Sequence, residues 1–156
     1  MTNAPKPAIC LFMSTEHTDL ESALIRRFSM CDWSHTGFYR LSDGCTFSAM
    51  NDGKGVAWRP PNPNVKILLL TAPRVDEAFA WALQQQGKPY DRLDIEGFLF
   101  DRDWSSPNSL ICDRLVFLSF VNLLPSQPLL NHTFIPIIHL IPRDVLLSPL
   151  VTEFHV

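Results

Sequence analysis

Several chemical signatures are missing from this chain. It has no H-E-x-x-H or similar histidine pair, no G-x-S-x-G elbow and no C-x-x-C pair. Metal-dependent hydrolysis, Ser-His-Asp hydrolysis and a zinc module are therefore disfavoured, and no metal or cofactor is expected. The four cysteines, Cys10, Cys31, Cys45 and Cys112, are expected as free thiols in a reducing compartment. A basic stripe is also missing. Thirteen Lys+Arg against 16 Asp+Glu leave a net charge of −3, so nucleic acid is not expected as the main partner. No apolar run is long enough for a bilayer. "VKILLLT" and "FIPIIHLIP" are short, and the run after Leu110 carries Asp113 and Arg114. The opening "MTNAPKPAICLFMS" lacks a basic region followed by a long apolar run. The expectation is a soluble protein made in the cytoplasm, with no transmembrane segment and no internal repeats.

What is present suits one folded domain over 1–156. Hydrophobic residues make up 46% of the 156 and charged ones 19%, which disfavours disorder. The 13 prolines cluster near the start, in "RPPNPN" (59–64) and through the last third. They favour short elements with stiff connections.

"PAICLFMS" (7–14) reads as a buried strand. Thr18 and Glu21 fit a capping box for a helix to about Met30, with Leu20, Ala23, Leu24 and Phe28 as its apolar stripe. A hairpin follows, with strands near 35–41 and 45–50 around a tight Asp43-Gly44 turn. "GKGVAWRPPNPN" reads as a connection and "VKILLLT" (65–71) as a buried strand. Thr71 and Pro73 open a helix with Val75, Phe79 and Leu83 on one face, and Gly87 closes it. The stretch from Lys88 to Asn108 reads as mostly loop. Ser106-Pro107 signals a helix from about Ser109 to Leu124, apolar on nearly every side and so buried all round. "FIPIIHLI" reads as a strand and "PRDVLLS" as a short helical turn. The order β-α-β-β-β-α-loop-α-β predicts an α+β fold, a small antiparallel sheet packed on a central buried helix.

Cys112 stands out among the cysteines because it lies near that helix's start. Unpaired N–H groups there carry partial positive charge, which favours thiolate and offers an oxyanion hole. A plain packing role is the alternative. Five histidines compete as its activating partner: His17, His35, His132, His139 and His155. His35 heads a strand two residues before Gly37, which permits close approach of another backbone or a substrate.

These residues carry a resemblance. "SHTGFYRLSDGCTFSAMNDGKGV" resembles the histidine segment of NlpC-type papain-like hydrolases. "GKPYDRL" (87–93) resembles their Gly-x-Pro-Tyr motif, and "LICDRLV" their cysteine-bearing helix start. "HLIPRDVLLSPLV" is similar to the closing segment of the circularly permuted, YiiX-like branch, where the histidine precedes the cysteine, as His35 precedes Cys112 here. The likeness spans nearly the whole chain. It implies a permuted papain-like fold with Cys112 as nucleophile, His35 as base and Tyr90 beside the nucleophile. It places Ser48 where the family carries the residue that orients the imidazole. An idealised two-residue turn places Asp52 there instead, and both remain candidates.

The leading expectation is a cysteine hydrolase cleaving an amide, with a peptidoglycan peptide as first substrate. In that case a virion or a delivery machine is the partner that carries it to the wall. A lipid ester or amide hydrolase of the same fold is the second reading. A papain-like module kept for binding or assembly is the third.

Overall fold

The structure is a computed structural model, which describes residues 7–14, 20–93, 106, 108–121 and 140–153. The chain runs β1 (Pro7–Ser14), α1 (Leu20–Ser29), β2 (His35–Arg40), β3 (Thr46–Met50), β4 (Gly55–Arg59), β5 (Val65–Thr71), α2 (Val75–Leu83), α3 (Cys112–Val121), α4 (Pro142–Leu146) and β6 (Thr152–Glu153). The six strands form one sheet in the order β4-β3-β2-β1-β5-β6. Every strand pair in it is antiparallel.

Side-chain alternation divides the sheet into two faces. One carries Ile9, Phe38, Phe47, Ala49, Val56 and Leu70, and packs with Ala78 and Ala82 of α2 and Leu115, Val116 and Phe120 of α3 in one buried core. Aromatic rings lock this layer: Phe79 of α2 meets Phe38 at 5.2 Å and Trp58 at 5.6 Å between centroids. The other face carries His35, Gly37, Ser48 and Phe12. α3 is buried around most of its circumference, Asp113 and Ser119 included. The buried Ser119 hydroxyl donates back to the Val116 carbonyl, an intrahelical route to satisfaction. No helix among the described residues is long and apolar enough to cross a membrane.

Several sequence expectations change. The hairpin register pairs Phe38 with Phe47 and Tyr39 with Thr46, and the Arg40 N–H donates to the Cys45 carbonyl at 2.9 Å. The loop is therefore 41–44, not a two-residue Asp43-Gly44 turn. Only Gly44 takes positive φ, at 73°. Asp43 instead accepts from the Cys45 N–H and from Arg40, so its side chain ties the loop.

Residues 55–59, expected as connection, form β4, paired with β3 along its whole length. Gly55 makes this possible. Its φ is 63°, and a Cβ there would lie 2.1 Å from the Lys88 carbonyl oxygen. The close approach lets the Val56 N–H reach that oxygen at 2.8 Å, and the Gly87 N–H reach the Val56 carbonyl at 2.9 Å.

β5 runs through Thr71, so α2 starts later than expected, after Arg74 in the left-handed region. It ends at Leu83, and Gly87, at φ 87°, turns the chain four residues later. On α1, Leu24 is 51% exposed whereas Ser22 is fully buried and bonded to Ser34 at 2.6 Å. The inward face is thus turned from the expected stripe. Thr18, His17, His132, His139, His155 and most of the "FIPIIHLI" segment lie outside the described residues.

Candidate functional site

Cys112 is the first residue of α3 and is 2% exposed. The backbone N–H of Thr36, the residue after His35, lies near enough to its sulfur to favour the thiolate. The β2–β3 ladder consists of Phe38↔Phe47 and Tyr39↔Thr46, so this N–H lies beyond those pairs. The start of α3 thus packs against the start of β2, 76 positions away in sequence (112 − 36).

His35 opens β2 and is buried, with its ring stacked on Phe12 of β1 at 5.3 Å and 15°. Ser48, at the centre of β3, is fully buried. Among the described residues its hydroxyl has no hydrogen-bond partner. It sits opposite Gly37: a Cβ on Gly37 would lie 2.8 Å from both the Ser48 Cβ and the Phe47 carbonyl oxygen. Only glycine admits the strand this closely. Extending the register places Met50 across from His35, with Ser48 its diagonal neighbour on the same face.

Asp52 does not occupy the place opposite His35. The observed register is two residues shorter than the idealised turn requires, and Asp52 falls in the turn beyond β3. Its carboxylate accepts from Arg59 Nε at 2.9 Å and Nη2 at 2.8 Å. Those bonds hold its pKa down.

Tyr90 is placed by two strands of contact. It bridges Leu110 in parallel fashion, with the Leu110 N–H donating to Pro89 and the Asp91 N–H donating to Leu110. Asp91 is buried, and its Oδ2 accepts from the Ser106 N–H at 2.8 Å and the Ser109 hydroxyl at 2.7 Å. One carboxylate thereby ties the Gly-Lys-Pro-Tyr segment to the segment that delivers Cys112. Sequence reading passed over Asp91, although its place directly after Tyr90 was the available signal.

The expected acidity of Cys112 is reversed. Burial, first, and the neighbouring Asp113 carboxylate, second, raise its thiol well above the ordinary value, against the Thr36 N–H, which lowers it. The thiol donates to Asp113 Oδ2 at 3.6 Å. A helix N-terminus contributes about 0.3–1 kcal/mol, under one pKa unit, whereas full burial moves a group by up to about 3–5 units. Desolvation therefore outweighs the helix N-terminus, and the balance favours the protonated thiol. All four cysteines are free.

No family model matches this chain, and no curated protein does. Among solved structures, it is similar to the crystal structure of metalloprotein yiiX from Escherichia coli O157:H7. The identity is 18%, the TM-score 0.64, and the match covers 97% of each chain. That likeness shows the fold: the chain adopts a yiiX-like arrangement of an antiparallel sheet with few helices.

Proposed function

We propose that the protein is a cysteine hydrolase of the permuted papain-like type, cleaving an amide bond. The observation that supports it best is the Cys112 sulfur lying at a helix start near the Thr36 N–H, one residue after His35 in β2. In this reading His35 takes the thiol proton as sulfur attacks the carbonyl carbon. The C–N bond then breaks, and the amine leaves with the proton from His35. Water hydrolyses the thioester to a carboxylic acid and regenerates the thiol. A neutral resting thiol requires the proton to move during attack, so His35 acts as a general base and not as a standing imidazolium. Tyr90 and the first N–H groups of α3 face the developing oxyanion in this scheme. A cell-wall peptide is the first substrate class.

The neighbour yiiX is described as a metalloprotein. Among the described residues here, no group of three or more His, Cys, Asp and Glu side chains converges as a metal-binding set. The described residues therefore do not fit a metal, and no step in this reading runs through one.

One observation favours a second reading, a module retained for binding. Cys112 is buried beside a carboxylate that raises its pKa. Alkylation of Cys112 across pH, compared with His35→Ala, separates the two. Alkylation that slows when His35 is removed supports the hydrolase; a Cys112 no faster than Cys10 in either protein defeats it.

A further inference from the structure

The two strands flanking the Pro-rich segment are not neighbours. β4 and β5 are separated by β3, β2 and β1, yet only residues 60–64 join them. In a flat sheet Arg59 and Val65 are about 19 Å apart across the strands and, being six residue pairs apart in register, about 20 Å apart along them, roughly 28 Å in all against the roughly 21 Å that six extended steps reach. Part of that reach is spent in a turn, where the Val65 N–H donates to Asn62. The sheet must therefore curl toward the His35 face, with 60–64 as a strap across it. Under the strap lies a cavity of about 360 Å³.

Part of its wall is made by a neighbour of His35. Phe12 is the β1 partner of His35 and stacks on its ring. Met50, which the β2–β3 register sets across from His35 when extended, and Val65, Ile67 and the prolines of the strap supply the rest of the apolar lining. The one cation in the wall, Arg59, has no N–H to offer. It gives Nε and one Nη2 hydrogen to Asp52, the other Nη2 hydrogen to Gly55, and both Nη1 hydrogens to the Ser48 and Ala57 carbonyls. The Asp52 charge is neutralised by the same pair. Among the described lining residues no charge is thus left available, and apolar side chains outnumber Thr46 and Asn62.

We propose that this cavity binds the apolar substituent of the leaving amine. The assignment rests on the hydrolase reading, because His35 hands its proton to the amine and Phe12 of the cavity wall stacks on the His35 ring. An apolar peptide side chain and an alkyl chain share this chemistry.

The test is NMR of the Met50 methyl group in the Cys112→Ser protein, titrated with leucinamide, hexylamine and glycinamide. These probes share an amine and differ in the apolar part. Saturable shifts with leucinamide or hexylamine, at least tenfold tighter than glycinamide, support the proposal, and the tighter of the two names a peptide or a lipid source. Filling the cavity by Ile67→Trp, or by Val65→Phe should the first fail to fold, is expected to weaken binding at least tenfold. Shifts that do not saturate, or are equal for all three amines, overturn it. Failure of the hydrolase reading registers separately, as an inert Cys112 thiol in the native protein. A cavity that binds while Cys112 is inert overturns the leaving-amine assignment.

Discussion

Cys10 and Cys112 are both buried and both free, and in each a β2 backbone N–H near the sulfur, from Gly37 and Thr36 respectively, favours the thiolate. Burial is the first cause of a raised pKa in each. Thr36 even touches both sites, since its hydroxyl donates to the Cys10 carbonyl at 3.1 Å. The difference lies in what surrounds the sulfur. Cys10 sits inside a strand between two others; Cys112 opens a helix, next to Asp113 and near the Thr36 N–H. Acidity therefore does not mark Cys112 out. Its polar neighbours and its place at an element boundary do.

The sharpest way to break this comparison is to remove each sulfur in turn. On the hydrolase reading, Cys112→Ala abolishes amide cleavage, a loss of about 10³-fold or more, whereas Cys10→Ala leaves turnover within a few-fold. Turnover of muropeptide and acyl-amide substrates by each variant checks this. Equal losses in both proteins, matched to equal losses of fold, would make the two cysteines alike.

The next effect is smaller. His35→Ala is expected to slow alkylation of Cys112 by about 10²-fold near neutral pH, the lower end of general-base contributions. Alkylation of Cys10 is expected to be unaffected. Mass mapping of each site over time distinguishes a base at Cys112 from a general opening of the sheet.

Much of this site was legible in the sequence, and the reasons are local. Cys112 near a helix start follows from the apolar run after it, though the helix begins at Cys112 and not at about Ser109, where the Ser106-Pro107 signal puts it, because Leu110 pairs with Tyr90 in extended form. The facing of Ser48 and His35 follows from strand parity, which a two-residue error in the turn does not alter. The register itself was not legible, because it depends on Asp43 tying the loop to Arg40 and Cys45. Nor was β4, whose Gly55 start and Pro-Pro end both read as loop. Its pairing depends on Lys88 approaching a glycine that has no Cβ. The acidity of Cys112 was misread because a helix dipole is visible in sequence and desolvation is not.

Packing gives a third contrast. Gly37→Ala places a methyl 2.8 Å from the Phe47 carbonyl oxygen and the Ser48 Cβ, which forces β2 and β3 apart. A loss of about 1–3 kcal/mol is expected, measurable by urea unfolding. Reactivity at Cys112 should fall in the same variant if Ser48 and His35 are held as a unit, while that at Cys10 should change little.

Stability against pH treats the two thiols alike. Each has a folded pKa above its unfolded value, so each folded thiol holds its proton more tightly. The stability this gives is fully present below the unfolded pKa of about 8.5 and declines as pH rises toward the folded value. Each thiol removes about 1.4 kcal/mol per pH unit in that window. Urea unfolding between neutral and alkaline pH should show a shallower decline in Cys10→Ala and in Cys112→Ala than in the parent, by similar amounts.

The smallest expected effect separates them again. Asp113 accepts the thiol hydrogen and raises the Cys112 pKa by its charge, a contribution Cys10 lacks. Asp113→Asn keeps the size and an acceptor oxygen and removes the charge. The midpoint of Cys112 alkylation should move to lower pH, with that of Cys10 unchanged. A midpoint that stays put would assign the whole shift to burial and leave Asp113 without influence on the thiol. A midpoint that falls while amide cleavage slows would mean that the carboxylate holds the proton in place until His35 collects it, so that the raised pKa belongs to the reaction.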